Sequence, residues 1–289
     1  MFAEYGLLVV AIIWGMGFVA SDVSLNYFTP TELMAVRFTI SALCLCLIFY
    51  KHLKKIDRVA LRHGIILGLF LFTGFLLQTF GLKYTTPSKN AFLTAVNVVI
   101  VPIISFIYHR ANIGIHSIIG PCLALFGVGL ISLKGGAALN IGDTLTLFCA
   151  VCFALHIFFT GEFLKDGSNP ITLTIIQMAT ASCVSIIVFL STISPKSISI
   201  STGPVLAAIY LGLVSTTLAF LLQTICQRHT DGPKAAILLS TESVFGALFS
   251  VIFLSEKMGA RTTAGCIVIF AAIIITETKP TFRRKQNAP

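Results

Sequence analysis

Charge is what this chain has least of. Of its 289 residues only 11% are Asp, Glu, Lys or Arg, while 56% are hydrophobic and the mean hydropathy is +0.94. A water-soluble domain carries about 25% charged residues because it must cover its whole surface. A soluble globular fold is therefore excluded, as are disorder, collagen and small disulfide scaffolds. Acidic residues are the scarcest, 11 against 20 basic ones. The basic surplus does not point to nucleic acid, because it sits in short clusters between apolar runs and lacks a basic helix with interleaved aromatics. No H-E-x-x-H, G-x-S-x-G or P-loop motif is present, so no linear signature of an enzyme exists, and ATP is not the energy source. The eight cysteines lie in or beside apolar runs. Cys149 and Cys152 form a lone C-x-x-C with no second pair or histidine cluster, so neither a metal nor a redox cofactor is expected. The N-terminus lacks a basic segment before its first apolar run, which reads as an uncleaved span over Tyr5 to Ser21.

What the chain does have is long apolar runs. A membrane helix needs roughly 20 apolar residues, and the breakers divide this sequence into ten spans: 4–22, 32–50, 64–83, 88–108, 114–133, 143–162, 170–190, 204–226, 234–254 and 260–277. Helices are required because a lipid-facing backbone must satisfy its own hydrogen bonds, and the runs are too continuous for barrel strands. With both termini in the cytoplasm, inner segments hold thirteen Lys and Arg residues and outer segments six. The positive-inside rule therefore predicts a multi-pass protein of the cell membrane with both termini cytoplasmic.

The sequence also contains itself twice. Phe75-Leu76-Leu77-Gln78-Thr79 recurs as Phe220-Leu221-Leu222-Gln223-Thr224, an offset of 145 that also aligns Lys89 with Lys234, Val99 with Val244 and Gly120 with Gly265. Earlier the offset is 140, pairing Pro30 with Pro170 and Arg37 with Gln177. Residues 1–137 and 138–289, the latter ending in a short basic tail, thus form two five-helix copies. An odd number of spans forces the second copy to enter from the opposite side, giving inverted repeats. That architecture is typical of secondary transporters, whose halves exchange conformations around a midplane site.

The residues also carry a resemblance. Trp14-Gly15 with Phe18, Arg37-Phe38, Asn90-Ala91-Phe92-Leu93-Thr94, Gly142-Asp143, and Glu242-Ser243-Val244-Phe245 followed by Leu254-Ser255-Glu256-Lys257 resemble the EamA-type branch of the drug/metabolite transporter superfamily. The resemblance implies a ten-helix, two-repeat carrier that moves small metabolites such as amino acids or their analogues, often outward. Two positions depart from the pattern. Ser243 stands where the family commonly has proline, which removes one reason to expect a bend in the ninth span, and Tyr108-His109-Arg110 replaces a Gly-Glu-Arg-like turn.

A charge deep in a bilayer needs a partner, a cavity or a role. Glu242 lies nine residues into its span, about 13 Å deep at ~1.5 Å per residue in a core about 30 Å thick. Its repeat equivalent is Asn97. Glu242 either pairs with a substrate ammonium or a coupling proton, or makes an interhelical hydrogen bond. Arg37 either clamps a substrate carboxylate or snorkels to the interface. Trp14, the one tryptophan, sits mid-span, where it lines a cavity or packs between helices. Gln78 belongs to the repeated block. Lys89 and Lys234, related by the repeat, are either gating charges at the two mouths or interfacial anchors. Gly64-x-x-x-Gly68 is suited to close helix approach. The expected partners are a small-molecule substrate, lipid and a coupling proton, with no cofactor and no nucleic acid. Oligomeric state is not specified by the sequence. The competing readings are efflux of lipophilic cationic drugs and, from another class, a membrane-embedded lipid-handling protein or enzyme.

Overall fold

The computed structural model describes residues 2–110, 140–192, 202–230 and 232–277, together with Leu123, Phe126, Gly127 and Leu130. Every regular element among them is helical. In chain order these are α1 (Phe2–Leu25), α2 (Pro30–Ile48), the short α3 (Tyr50–Leu53), α4 (Arg58–Leu82), α5 (Pro87–Thr94), α6 (Asn97–His109), α7 (Ile141–Lys165), α8 (Pro170–Ser191), α9 (Thr202–Tyr210), a π-helical segment (Leu211–Leu218), α10 (Ala219–Gln227), α11 (Gly232–Ser240), α12 (Glu242–Leu254) and α13 (Ala260–Glu277). Eight helical stretches among the described residues are long and apolar enough to cross a membrane. The apolar part of α13, Ala260–Ala272, is shorter. The fifth span expected from sequence, 114–133, lies largely outside the described residues.

Helix ends follow local chemistry. The Thr29 hydroxyl accepts from the Glu32 amide while the Glu32 carboxylate accepts from the Thr29 amide, a reciprocal capping box ahead of Pro30. Asn169 caps α8 ahead of Pro170 from one side only, its Oδ1 accepting from the Ile171 and Thr172 amides. Proline at the first helical position needs no amide donor there, so both starts are sharply defined.

Two of the expected spans are broken. The stretch 88–108 divides into α5 and α6 around Ala95 and Val96, and 234–254 divides into α11 and α12 at Thr241. The second halves, Asn97–His109 and Glu242–Leu254, are each 13 residues long and begin 145 positions apart. Each ends on a residue in the left-handed region, Arg110 at φ 51° and Ser255 at φ 53°. Both copies thus carry the same break and the same terminator in the same register. The bend in the ninth span forms without the proline that Ser243 replaces.

Packing is close where side chains are small. A Cβ on Gly64 would lie 2.5 Å from Ile176 of α8, and one on Gly68 2.6 Å from Thr180 Cβ and 2.7 Å from the Gln177 carbonyl. The glycine pair seen in the sequence therefore lets α4 approach α8 backbone-close. On α1, a Cβ on Gly15 would lie 2.5 Å from Phe245 Cβ and 2.9 Å from the Gly246 amide, in the first turns of α12.

Contacts near the helix ends fall into two groups. At one end, Asn140 donates to the Tyr84 carbonyl (2.8 Å), Thr85 to Asp143 (2.7 Å), Ser88 Oγ to Glu256 (2.8 Å), and Thr192 to Thr31 (3.0 Å). At the other, Lys234 pairs with Glu4, His63 Nδ1 bonds Ser168 Oγ (3.0 Å), and His109 Nε2 lies 3.3 Å from Glu162. Each contact joins segments that strict up-and-down alternation of the helices places at the same end of the bundle.

Candidate functional site

The repeated Phe-Leu-Leu-Gln-Thr block builds the floor of a cavity. Phe75 and Phe220, equivalent under the repeat, meet edge-to-face with centroids 5.8 Å apart. Phe153 packs on Phe75 at 5.0 Å, Trp14 on Phe220 at 4.9 Å, and His156 on Phe220 at 5.8 Å. The cavity around them has about 650 Å³ counted to its open mouth. Glu242, Asn97, Arg37, Trp14 and Gln78, which five different helical spans supply, all line it.

The π-helical segment organises one wall. Its wider turn leaves groups available to neighbours: the Ser215 carbonyl accepts from Trp14 Nε1 at 2.9 Å, and Thr216 Oγ1 accepts from Arg37 Nε at 3.0 Å. Arg37 is 1% exposed and its guanidinium carbon stands 4.0 Å from the centre of the Phe75 ring. The snorkelling alternative for Arg37 is thereby corrected. The side chain turns inward because the hydroxyl of Thr216 and the π-face of Phe75 replace part of its hydration, a cation–π arrangement suited to a desolvated guanidinium.

Polar side chains of the other spans complete the lining. Glu242 opens α12 just after the break at Thr241, and among the described residues no side chain forms an ion pair or hydrogen bond with its carboxylate. The interhelical hydrogen bond considered for Glu242 has no partner there. Asn97 opens α6 at the equivalent break, with Oδ1 buried and unpartnered. Gln78 donates to Thr94 (3.1 Å), and Asn90 donates to the Gln78 carbonyl (3.2 Å) and to Thr146 (2.8 Å).

The two lysines lie outside the cavity. Lys234, more than half exposed, is tied to Glu4. Lys89 follows Ser88, whose amide and hydroxyl both donate to Glu256. Cys149 and Cys152 are free thiols, and no group of three or more metal-ligating residues occurs among the described residues.

Several lining residues were not selected from the sequence. Phe75, Phe220 and Gln223 lie in the repeated block itself, so their signal was present. Asn90 was visible only as part of a motif. His156 was visible only as a lone histidine within a span, and Ser215 gave no signal, since nothing in an apolar run marks a π-helical turn.

The lining is asymmetric: Ser21, Arg37, Leu82 and Asn90 line the cavity and their repeat equivalents Gly161, Gln177, Gln227 and Ala235 do not, although all eight are buried.

Comparison with known proteins agrees with this architecture. The pattern of the EamA-like transporter family matches residues 1–133 and again residues 140–278. An uncharacterized transporter of Archaeoglobus fulgidus is 34% identical over 281 residues, 96% of this chain and 87% of that protein. The uncharacterized transporters YyaM and YoaV of Bacillus subtilis are 29% and 25% identical, covering 74% and 97% of this chain and 74% and 98% of their own lengths. A crystal structure 17% identical to this chain superposes with a TM-score of 0.70, covering 96% of this chain and 98% of that one, which shows a shared fold. A family pattern found twice, on a helical bundle with eight membrane-spanning candidates, establishes that the chain belongs to the EamA-like transporter family, a multi-pass membrane transporter and not an enzyme.

Proposed function

We propose that this protein is a secondary transporter of small metabolites, amino acids or related compounds, that exports them by alternating access. Ten spans form two inverted five-helix repeats, residues 1–137 and 138–289, with both termini in the cytoplasm. The reading rests above all on the cavity, where an unpaired carboxylate and a guanidinium face one aromatic-walled space. A zwitterion would place its ammonium at Glu242 and Asn97 and its carboxylate at Arg37. Its apolar portion would lie on Phe75, Phe220 and Trp14. Glu242 is also the group through which a coupling proton would act.

The inverted arrangement draws support from the matched breaks at Val96 and Thr241 and from the end contacts, in which Ser88, beside Lys89, meets Glu256 while Lys234 meets Glu4. Exchange of conformation between two such halves moves the mouth from one side to the other. A second reading, efflux of lipophilic cations, draws on the same carboxylate and aromatic walls, but a buried arginine in the cavity opposes cationic cargo.

Counterflow in proteoliposomes tests both. A panel of amino acids, amines, organic acids and nucleosides, with and without a pH gradient, is expected to give exchange of a zwitterion that is lost in Glu242→Gln. Exchange of lipophilic amines alone would favour the second reading, and exchange of nothing in the panel would overturn the first.

A further inference from the structure

Where α7 begins, two buried oxygen atoms are reached by no donor among the described residues. Asp143 and Asn90 are both 0% exposed, and Asp143 Oδ2 and Asn90 Oδ1 have no hydrogen-bond partner. The Thr85 hydroxyl satisfies only the other carboxylate oxygen, Asp143 Oδ1, at 2.7 Å. No lysine, arginine or histidine among the described residues forms an ion pair with Asp143. A carboxylate in the first turn of a helix gains from the helix dipole, but the dipole supplies no partner for the second oxygen. A buried acceptor without a partner is costly, and a buried charge more so.

The two oxygens lie along one seam. Asp143 and Thr146 are one turn apart on the same face of α7, and they meet Thr85 and Asn90, which bracket the first turn of α5. The hydrogen-bond network fixes the orientation of the Asn90 amide. Thr146 Oγ1 donates to the Gly142 carbonyl (2.7 Å), so it accepts from Asn90 Nδ2 (2.8 Å), which also donates to the Gln78 carbonyl (3.2 Å). The unpartnered end of the amide is therefore its acceptor. Glycines close the backbones around this point. A Cβ on Gly81 would lie 2.5 Å from Thr146 Oγ1, and one on Gly142 2.6 Å from the Gly81 carbonyl.

The other half of the molecule shows that the fold does not require this polarity. The equivalent junction joins α10 and α11 to α1, and there Ala3 stands for Asp143, Ala235 for Asn90, Gly6 for Thr146 and Cys226 for Gly81. Its backbones approach as closely, since a Cβ on Gly6 would lie 2.5 Å from Cys226 Sγ. Thr230, the equivalent of Thr85, donates back to the Cys226 carbonyl (3.0 Å). One junction is packed from small side chains; the other adds acceptors with nothing to accept from.

We infer that this seam binds a monovalent alkali cation through Asp143 Oδ2, Asn90 Oδ1 and the Thr85 hydroxyl oxygen. Hard cations take oxygen ligands, and one carboxylate balances a single charge and not two. A water would satisfy the hydrogen bonds but leave the charge uncompensated. Asn90 lines the cavity and Asp143 does not, so the ion enters from the cavity and sits behind its wall. There it ties α5 of the first copy to α7 of the second, as a partner separate from the proton assigned to Glu242. Its binding is a property of the folded protein and does not depend on the exchange mechanism proposed above.

The unfolding midpoint of the purified full-length protein in detergent tests this, because an ion that binds only the folded state raises it saturably. Sodium chloride and potassium chloride are each titrated against choline chloride at constant ionic strength. The midpoint is expected to rise with at least one alkali cation; equal midpoints in all three salts would overturn the site. Asp143→Asn keeps an oxygen for Thr85 while removing the charge, and Asn90→Ala copies the other junction. Each is expected to raise the half-saturating cation concentration by about tenfold or more, and an unchanged response in both would place the ion elsewhere. Glu242→Gln guards against binding at the cavity carboxylate: a response lost there and kept in Asp143→Asn would overturn the assignment. Counterflow measured in parallel keeps the two readings apart. Absent exchange of every solute with an intact cation response removes only the carrier mechanism, whereas intact exchange with no cation response removes only the site.

Discussion

Glu4 and Glu242 are carboxylates on apolar helices with opposite circumstances. Glu4 is held by Lys234 at a bundle end, while Glu242 is 6% exposed and faces the cavity without a side-chain partner among the described residues. Removing one partner of a buried pair leaves an uncompensated charge, but neutralising a charge that has no partner leaves nothing behind. Glu242→Gln is therefore expected to keep thermal stability in detergent within about 1 kcal/mol of wild type, or to raise it, while reducing counterflow at least tenfold. A loss of stability of several kcal/mol would instead assign Glu242 a packing role. Arg37→Lys is expected to keep the charge but lose the planar fork and its stacking on Phe75, weakening exchange of a carboxylate-bearing solute by about 1–3 kcal/mol, read as half-saturation. The cavity was partly legible at this scale. Intramembrane charge singled out Glu242 and Arg37, and repetition singled out Gln78 and Asn97. Arg37's inward course was implied by the family resemblance alone and not by the residues, because it depends on a hydroxyl 179 positions away in sequence, Thr216.

At the scale of elements, the spans were readable from apolar run length, and their starts from Thr29-Pro30 and Asn169-Pro170. The interruptions were not. Ala95 and Val96 sit inside a run with no glycine or proline at the break, while Pro102 lies within the regular turns of α6. The π-helical segment is equally silent in composition, although it positions both Trp14 and Arg37 through Ser215 and Thr216. Helix contacts were more legible, since Gly64 and Gly68 show small-residue spacing. Gly68→Val would drive a branched side chain into Thr180 and the Gln177 carbonyl. It is expected to destabilise by about 1–3 kcal/mol or more, measured as a lower unfolding midpoint. Gly161→Ala meets no such neighbour and gains helix propensity of up to about 1 kcal/mol, so its midpoint is expected to equal or exceed that of wild type. A midpoint lowered as far as that of Gly68→Val would mean that space around Gly161 is filled.

For the whole molecule, the account turns on two copies of one helical unit running in opposite directions around a shared cavity. Their equivalence is visible in the offsets of 140 and 145, in the paired Phe75 and Phe220, and in the matched helices that begin at Asn97 and Glu242. Their inequivalence lies in the cavity, which Ser21, Arg37, Leu82 and Asn90 line and their repeat equivalents do not. Opposite orientation is what makes such an asymmetric state the mirror of a second one. The most direct measurement labels a cysteine at Asn26, in the exposed turn after α1, and at its equivalent Asp166, in the exposed turn after α7, with a membrane-impermeant maleimide on intact cells and on inverted vesicles. N26C is expected to react from outside and D166C only from the cytoplasmic face; reaction of both from the same face would contradict the inverted repeat and the alternating-access mechanism built on it.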